Sequence, residues 1–108
     1  MRDFFDVYIL SEREPFAGGL LTDAIRATFE RRGTAMPANL PEALTPSFAR
    51  AAGKRTQWQG FIRKNRLAQA PGDLEAVISK LAEFLGPVFA ATAKGDSFRY
   101  HWPPGGPW

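Results

Sequence analysis

The stretch "DLEAVISKLAEFLGPVFAATAK", Asp73 to Lys94, carries the clearest periodic signal in the chain. Leu74, Val77, Ile78, Leu81, Leu85, Val88, Phe89 and Thr92 recur at spacings of three and four, which stacks them on one side of an α-helix. This spacing predicts a central packing helix running from about Asp73, just after Pro71 and Gly72, to about Lys94. Pro87 lacks a backbone donor, so a kink is expected near Gly86. The other elements have to cover this helix. Arg2 to Glu12 reads as a helix that is apolar around almost its whole circumference, through Phe4, Phe5, Val7, Tyr8, Ile9 and Leu10. Such a helix expects neighbours on several sides. Its one polar line is Arg2, Asp3 and Asp6, brought together over one turn. A second helix is predicted from Leu20 to Arg32, with Leu21, Ile25, Thr28 and Phe29 inward, an Arg26–Glu30 pair outward and Gly33 as its stop. Arg31 and Arg32 sit in its last turn, where the helix dipole favours cations, and this explains them without a binding role.

Thr34 to Leu44 holds Pro37 and Pro41 with no helical period and reads as an extended connection. Thr45 followed by Pro46 is a hydroxyl cap with proline in the first turn, opening a short helix to about Ala52. A further helix, Lys54 to Asn65, presents Trp58, Phe61 and Ile62 on one side. Beyond Gly95, "DSFRYHWPPGGPW" is too rich in proline and glycine to be helical. The strand signal is weak throughout. The expected fold is all-α: a compact bundle of four or five helices forming a single domain over residues 1–108, with an irregular Pro/Gly/Trp-rich C-terminal tail.

Composition narrows the functional classes. A chain of 108 residues with 44% hydrophobic and 23% charged residues is one domain with one core, leaving little volume for a deep active site. There is no cysteine, which removes disulfides, thiolate metal sites and a cysteine nucleophile. Asp3 and Asp6 interrupt the apolar run a signal peptide needs, and "FLGPVFAATA" from Phe84 is short for a bilayer, so a cytoplasmic protein with no membrane partner is expected. His101, the single histidine, lies in the tail with no acidic partner in view, and a Ser-His-Asp arrangement is not expected. Gly18–Gly19 and Gly105–Gly106 read as turns, since neither pair sits between a strand and a helix as a phosphate loop does. Asp3 and Asp6 alone supply too few oxygens for magnesium, and the chain has no D-x-D pair, so no metal site is assigned.

The net charge of +3 and pI near 9.7 permit an anionic partner. "KRTQWQGFIRKNR" from Lys54 mixes cations with aromatics, and Lys54, Arg55, Arg63 and Lys64 are the candidate nucleic-acid contacts. On a helical projection Arg55 and Arg66 flank one edge of the Trp58 face, Arg63 lies further round and Lys64 sits toward the opposite edge, so the cations surround the helix and form no stripe, which favours a solvated surface over RNA contact. Trp58, Trp102 and Trp108 are expected in the core, the tail folding back so that its indoles fill grooves between helices. The competing reading makes "WPPGGPW" a ligand for another protein's aromatic groove.

Taken together, "RDFFDVYIL" from Arg2, "AIRATFERRGTAMP" from Ala24, "WQGFIRKNRL" from Trp58, "FLGPVF" from Phe84 and "WPPGGPW" from Trp102 resemble the C-terminal region of the AbiEii/AbiGii nucleotidyltransferase toxins, over essentially the whole chain. In that family a polymerase-β-type N-terminal domain carries a glycine-containing nucleotide motif, a D-x-D metal pair and a lysine motif. A last motif, lysine or arginine followed by D-x-x-D, opens a helical C-terminal domain. The resemblance places Arg2, Asp3 and Asp6 on this last motif, with arginine where lysine is common. It implies that they help shape a nucleotide site, with Phe4 and Phe5 packed beneath. It further implies Mg2+ and a nucleoside triphosphate for the complete enzyme, none held by this chain alone. The implied partners are an N-terminal nucleotidyltransferase domain missing here and a cognate antitoxin; transfer RNA is the candidate partner that the cations from Lys54 raise by composition. The first expectation is therefore a helical domain that is inactive by itself and edges a nucleotide site. The alternative is a stand-alone interaction module that dimerises or binds a partner such as an antitoxin through its first helix.

Overall fold

The computed structural model of the protein describes residues 1–33, 41–67 and 70–108. The periodic stretch forms one helix, α5 (Leu74–Lys94), and every other helix lies against it. Its start is fixed by Asp73, whose Oδ1 accepts the Glu75 N–H at 3.0 Å. Its end is a left-handed glycine turn: Gly95, at φ 73°, donates to the Thr92 carbonyl and Asp96 donates to that of Ala91, which satisfies the last open carbonyls. The helix runs uninterrupted past Pro87. Among the described residues α5 is the one helix long and apolar enough to cross a bilayer, but here it is the packing centre, with Leu74, Val77, Ile78, Leu81, Phe84, Val88, Ala91 and Thr92 buried. Phe84 takes an inward place that the three-four period gives to Leu85, which is only half-buried. The cause is tertiary: the rings of Phe16, Trp102 and Trp108 converge on Phe84, with centroids 5.0, 4.8 and 5.8 Å away.

α1 (Arg2–Arg13) lies along α5 with Phe5 buried and Phe4, Val7, Tyr8 and Ile9 half-buried, while Leu10 is 46% exposed. The chain then makes a two-residue strand, β1 (Phe16–Ala17), paired antiparallel with β2 (His101–Trp102). This small ladder joins the closing segment to the α1–α2 connection. α2 (Gly18–Arg32) begins two residues earlier than the sequence suggests, because the Gly18 N–H donates to the Tyr100 carbonyl at 2.8 Å and Phe98 packs on its Cα. The expected Arg26–Glu30 pair does not form. Arg26 instead meets Asp23 at 3.6 Å, as a long helical side chain leaning toward the N-terminus reaches back more readily than forward.

Residues 34–40 of the predicted extended connection lie outside the described residues, and its end, Glu42–Leu44, is a single 3-10 turn. α3 (Pro46–Arg50) is shorter than predicted. Thr45 caps it as expected, its hydroxyl accepting the Phe48 N–H. Gly53, at φ 82°, reverses the chain into α4 (Lys54–Asn65). Trp58 is fully buried there and its indole N–H donates to the Pro71 carbonyl at 2.8 Å. Arg50 and Arg55 both bind Glu75 Oε1, at 3.1 and 3.3 Å, so one carboxylate ties α3 and α4 to α5.

The closing segment packs as the core reading requires. Trp102 is fully buried and its indole donates to the Ser11 carbonyl at 2.7 Å; the Trp108 indole donates to the Phe84 carbonyl at 2.8 Å.

Two expected outcomes test this packing. A Cβ at Gly18 would fall 2.7 Å from the Tyr100 carbonyl, whereas at Gly60 it would meet nothing within 4 Å. Gly18→Ala should therefore cost about 1–3 kcal/mol in urea unfolding, and Gly60→Ala, inside α4, should add roughly 0.5–1 kcal/mol. Equal effects at the two positions would contradict the close approach at Gly18. The second test concerns Glu75, whose pKa is lowered chiefly by its hydrogen bond from Arg50, with Arg55 assisting. A depressed carboxylate stabilises the fold above its ordinary titration range and loses that contribution as acid takes the pH through the lowered value. Wild type should therefore melt above Glu75→Gln at neutral pH and the gap should close in acid; a gap that persists in strong acid would refute the linkage.

Candidate functional site

The polar line predicted on the first helix is present as a line. Arg2, Asp3 and Asp6 all lie in the first half of α1 and all are exposed; Asp3 and Asp6 are turned away from Phe5, whereas Arg2, one turn before it, leans to the same Phe61 ring. Their environments differ. Arg2 is held from the side by α4: its Nη2 donates to Asn65 Oδ1 at 3.3 Å and its guanidinium lies 5.3 Å from the centre of the Phe61 ring. Asn65 is itself fixed, since its Nδ2 donates to the Phe61 carbonyl at 2.9 Å. An arginine stacked on a ring and bonded to an amide keeps donors of its fork available for an anion. Asp3 and Asp6 make no side-chain hydrogen bond or ion pair among the described residues. Asp3 stands at the lip of an apolar groove of about 300 Å³ lined by Phe4, Val7, Ala43, Leu44, Leu81 and Leu85. One rim of α1 thus offers a fixed cation, two open carboxylates and an uncovered apolar trough.

The opposite side of α1 is occupied differently. Burial, and then the nearby Glu12 carboxylate, raise the Tyr8 hydroxyl above its usual titration range, so Tyr8 stays neutral and acts as a packing residue. Among the described residues no group of three or more His, Cys, Asp or Glu side chains comes together. Asp3 and Asp6 with nothing beside them do not fit a magnesium site, which takes six oxygens in near-octahedral order.

The four cations singled out on α4 divide in two. Lys54 lies 5.0 Å from the centre of the Phe48 ring and Arg55 binds Glu75, so both serve the α3–α4–α5 joint. Arg63 and Lys64 are exposed, one on each side of the line opposite Trp58. Two further signals were not drawn from the sequence. Between Ala43 and Gly72 there is no acidic residue, while Arg50, Lys54, Arg55, Arg63, Lys64 and Arg66 all fall in that window. The remaining chain carries eight cations against eleven acids, so the positive charge of the molecule is concentrated on α3 and α4. The second is Asn65, legible only as a neighbour of the cations until the fold brings it to Arg2.

His101 is exposed on β2. Gly18–Gly19 is not the turn expected of it: it follows β1 directly and opens α2, its backbone pressed against Phe98 and Tyr100, whereas Gly105–Gly106 lies in a turn closed by the Gly106 N–H to the Pro103 carbonyl.

A search of curated proteins and one of solved structures returned no match. A family model did match, described as "Nucleotidyl transferase AbiEii toxin, Type IV TA system" and covering residues 1–89. The matched stretch includes the whole of α1 with Arg2, Asp3 and Asp6, and α2 to α4. It ends inside α5, before the closing segment. With most of its length matched, the chain belongs to the AbiEii nucleotidyl transferase toxin family.

Proposed function

We propose that this helical domain edges the nucleotide site of an AbiEii-type nucleotidyltransferase and has no transfer activity by itself. The observation that carries this reading is the rim of α1, where Arg2 is braced by Phe61 and Asn65 while Asp3 and Asp6 stand open beside an apolar groove. A stability role leaves such a rim unexplained, because exposed unpaired carboxylates contribute little to a fold. A partner surface accounts for both halves of it: the groove takes apolar side chains of a catalytic unit, and the carboxylates orient groups at the nucleotide. In this arrangement Arg2 faces a phosphate and Asp3 and Asp6 hold donors of the nucleotide or of the catalytic unit in place. The Mg2+ that nucleotidyl transfer uses would be held by that unit; among the described residues of this chain no group of three His, Cys, Asp or Glu side chains comes together. The exposed cations Arg63, Lys64 and Arg66 form the surface along which a polyanionic acceptor such as transfer RNA lies. The family description places the chain in a toxin–antitoxin system. A cognate antitoxin reaching the same rim is the second reading, and the exposed Leu10 beside it favours that reading.

The chain incubated with magnesium, transfer RNA and each labelled nucleoside triphosphate should give no labelled RNA; robust metal-dependent transfer would overturn the proposal. Joined to a catalytic domain bearing the D-x-D pair, it should support transfer. There Asp3→Asn and Asp6→Asn should each lower kcat roughly 100-fold, the scale of misplacing a reacting group. For the acceptor surface, replacing Arg63 and Lys64 by Gln should flatten the salt dependence of RNA binding by about one unit of log–log slope per lost phosphate contact. An unchanged slope would remove α4 from the acceptor path.

A further inference from the structure

The last turn of α1 is capped from far along the chain. In an isolated helix the carbonyls of the last four residues lack partners. Here the Ser11 carbonyl accepts two donors from the closing segment, the buried Trp102 indole at 2.7 Å and the Gly105 N–H at 2.9 Å. Lys80, half-buried on α5, completes the junction: its ammonium donates to the Gly105 carbonyl at 2.8 Å, lies 3.5 Å from Glu12 Oε1 on α1 and sits 5.5 Å from the centre of the Trp102 ring. Gly106, at φ 76°, leaves room for that ring, since a Cβ there would fall 2.5 Å from Trp102 Cη2. One cation thus holds the core helix, α1 and the closing segment in a single cluster. The two ends of α1 are secured in different ways. Its first half rests on apolar contacts of Phe4 and Phe5 with Phe48 and Phe61, and its last half on this polar junction.

We propose that the closing segment is a latch on the last half of α1 and that Lys80 is its fastening residue, so that residues 8–13 and 101–108 open together, as one unit, while the first half of α1, α4 and the first turns of α5 stay closed. The latch sits at the far end of the helix that carries Asp3 and Asp6, and its seating sets how rigidly that rim is presented. This inference concerns the motion of the chain and stands whether or not the rim serves a nucleotide.

The test is amide hydrogen exchange on the whole chain, read by segment. Lys80→Met keeps most of the aliphatic stem and removes the ammonium. Exchange in residues 8–13 and 101–108 should then quicken by a shared factor of roughly ten, the effect of losing one charged hydrogen bond, with α4 unchanged. Trp102→Phe, which keeps a ring and removes the donor to Ser11, should reproduce the pattern. Equal acceleration everywhere would make the segment an ordinary part of one cooperative core and overturn the latch. Acceleration of the closing segment without α1, or of neither, would overturn it as well.

Discussion

A helix as apolar as α5 constrains everything around it. Leu74, Val77, Ile78, Leu81, Phe84 and Val88 all reach nearly complete burial, and at ~25 cal/mol per Å² of apolar area removed from water this is the dominant favourable term the fold possesses. One helix cannot bury itself, so the other elements are arranged by which part of α5 they cover. α3, α4 and the first half of α1 close its first turns, around Trp58 and Phe5. α2 and the closing segment close its last turns, around Val88, Ala91 and Phe98. Phe84 lies at the seam between these two groups, and three aromatic rings converge on it from β1, β2 and Trp108. A Pro/Gly-rich segment with almost no regular backbone hydrogen bonding is held there because large rings with a satisfied indole N–H bury much area at one position.

That division explains which parts of the fold could be read from the residues alone. The helices announced themselves by local rules: the period of α5, the Thr45-Pro46 start, the glycine stop at Gly33. Each is a property of a few neighbouring residues, and each was found in place. Apart from the Arg26 pairing, which side-chain direction within α2 decides, the departures have non-local causes. α2 starts at Gly18 because Tyr100 and Phe98 come to it across the chain. Phe84 turns inward because Trp102 and Trp108 wait for it, and β1 with β2 exists only because two distant dipeptides meet. The aromatic tail was assigned to the core on its residue types, but that Trp102 would cap α1 was not legible in any local pattern.

The candidate site was legible in a similar proportion. Family resemblance brought Arg2, Asp3 and Asp6 into one motif, helical spacing put them on one line, and the family match includes all three. The residues that brace the motif were not visible. Asn65 is sixty-three positions from Arg2 and makes contact only through the packing of α4 on α1. On α4 the projection treated all four cations as equivalent surface charges, whereas the fold commits Lys54 and Arg55 to internal joints and leaves Arg63 and Lys64 outward. The signal left undrawn was the acid-free window from Ala43 to Gly72, which concentrates cations on α3 and α4, although Glu75 from outside it engages Arg50 and Arg55.

The rim of α1 presents an opposition that its own energetics do not resolve. A fold under pressure for stability alone would bury Leu10 or make it polar, and would fill the trough beside Phe4 and Val7. Instead apolar groups stay half-open along the same helix that keeps two carboxylates unpaired. Exposed apolar area next to fixed charge is costly to an isolated domain and favourable to one that is covered, since a covering surface gains the hydrophobic term and meets groups already in position. Fixing those groups requires that α1 not drift on α5. Its first half is held by rings that tolerate some sliding, whereas the junction of Ser11, Glu12, Lys80 and Trp102 is directional and admits one register. Apolar packing gives α1 its place and the polar junction gives it an orientation, and in the proposed reading it is the second that holds Asp3 and Asp6 at a defined angle to a covering surface.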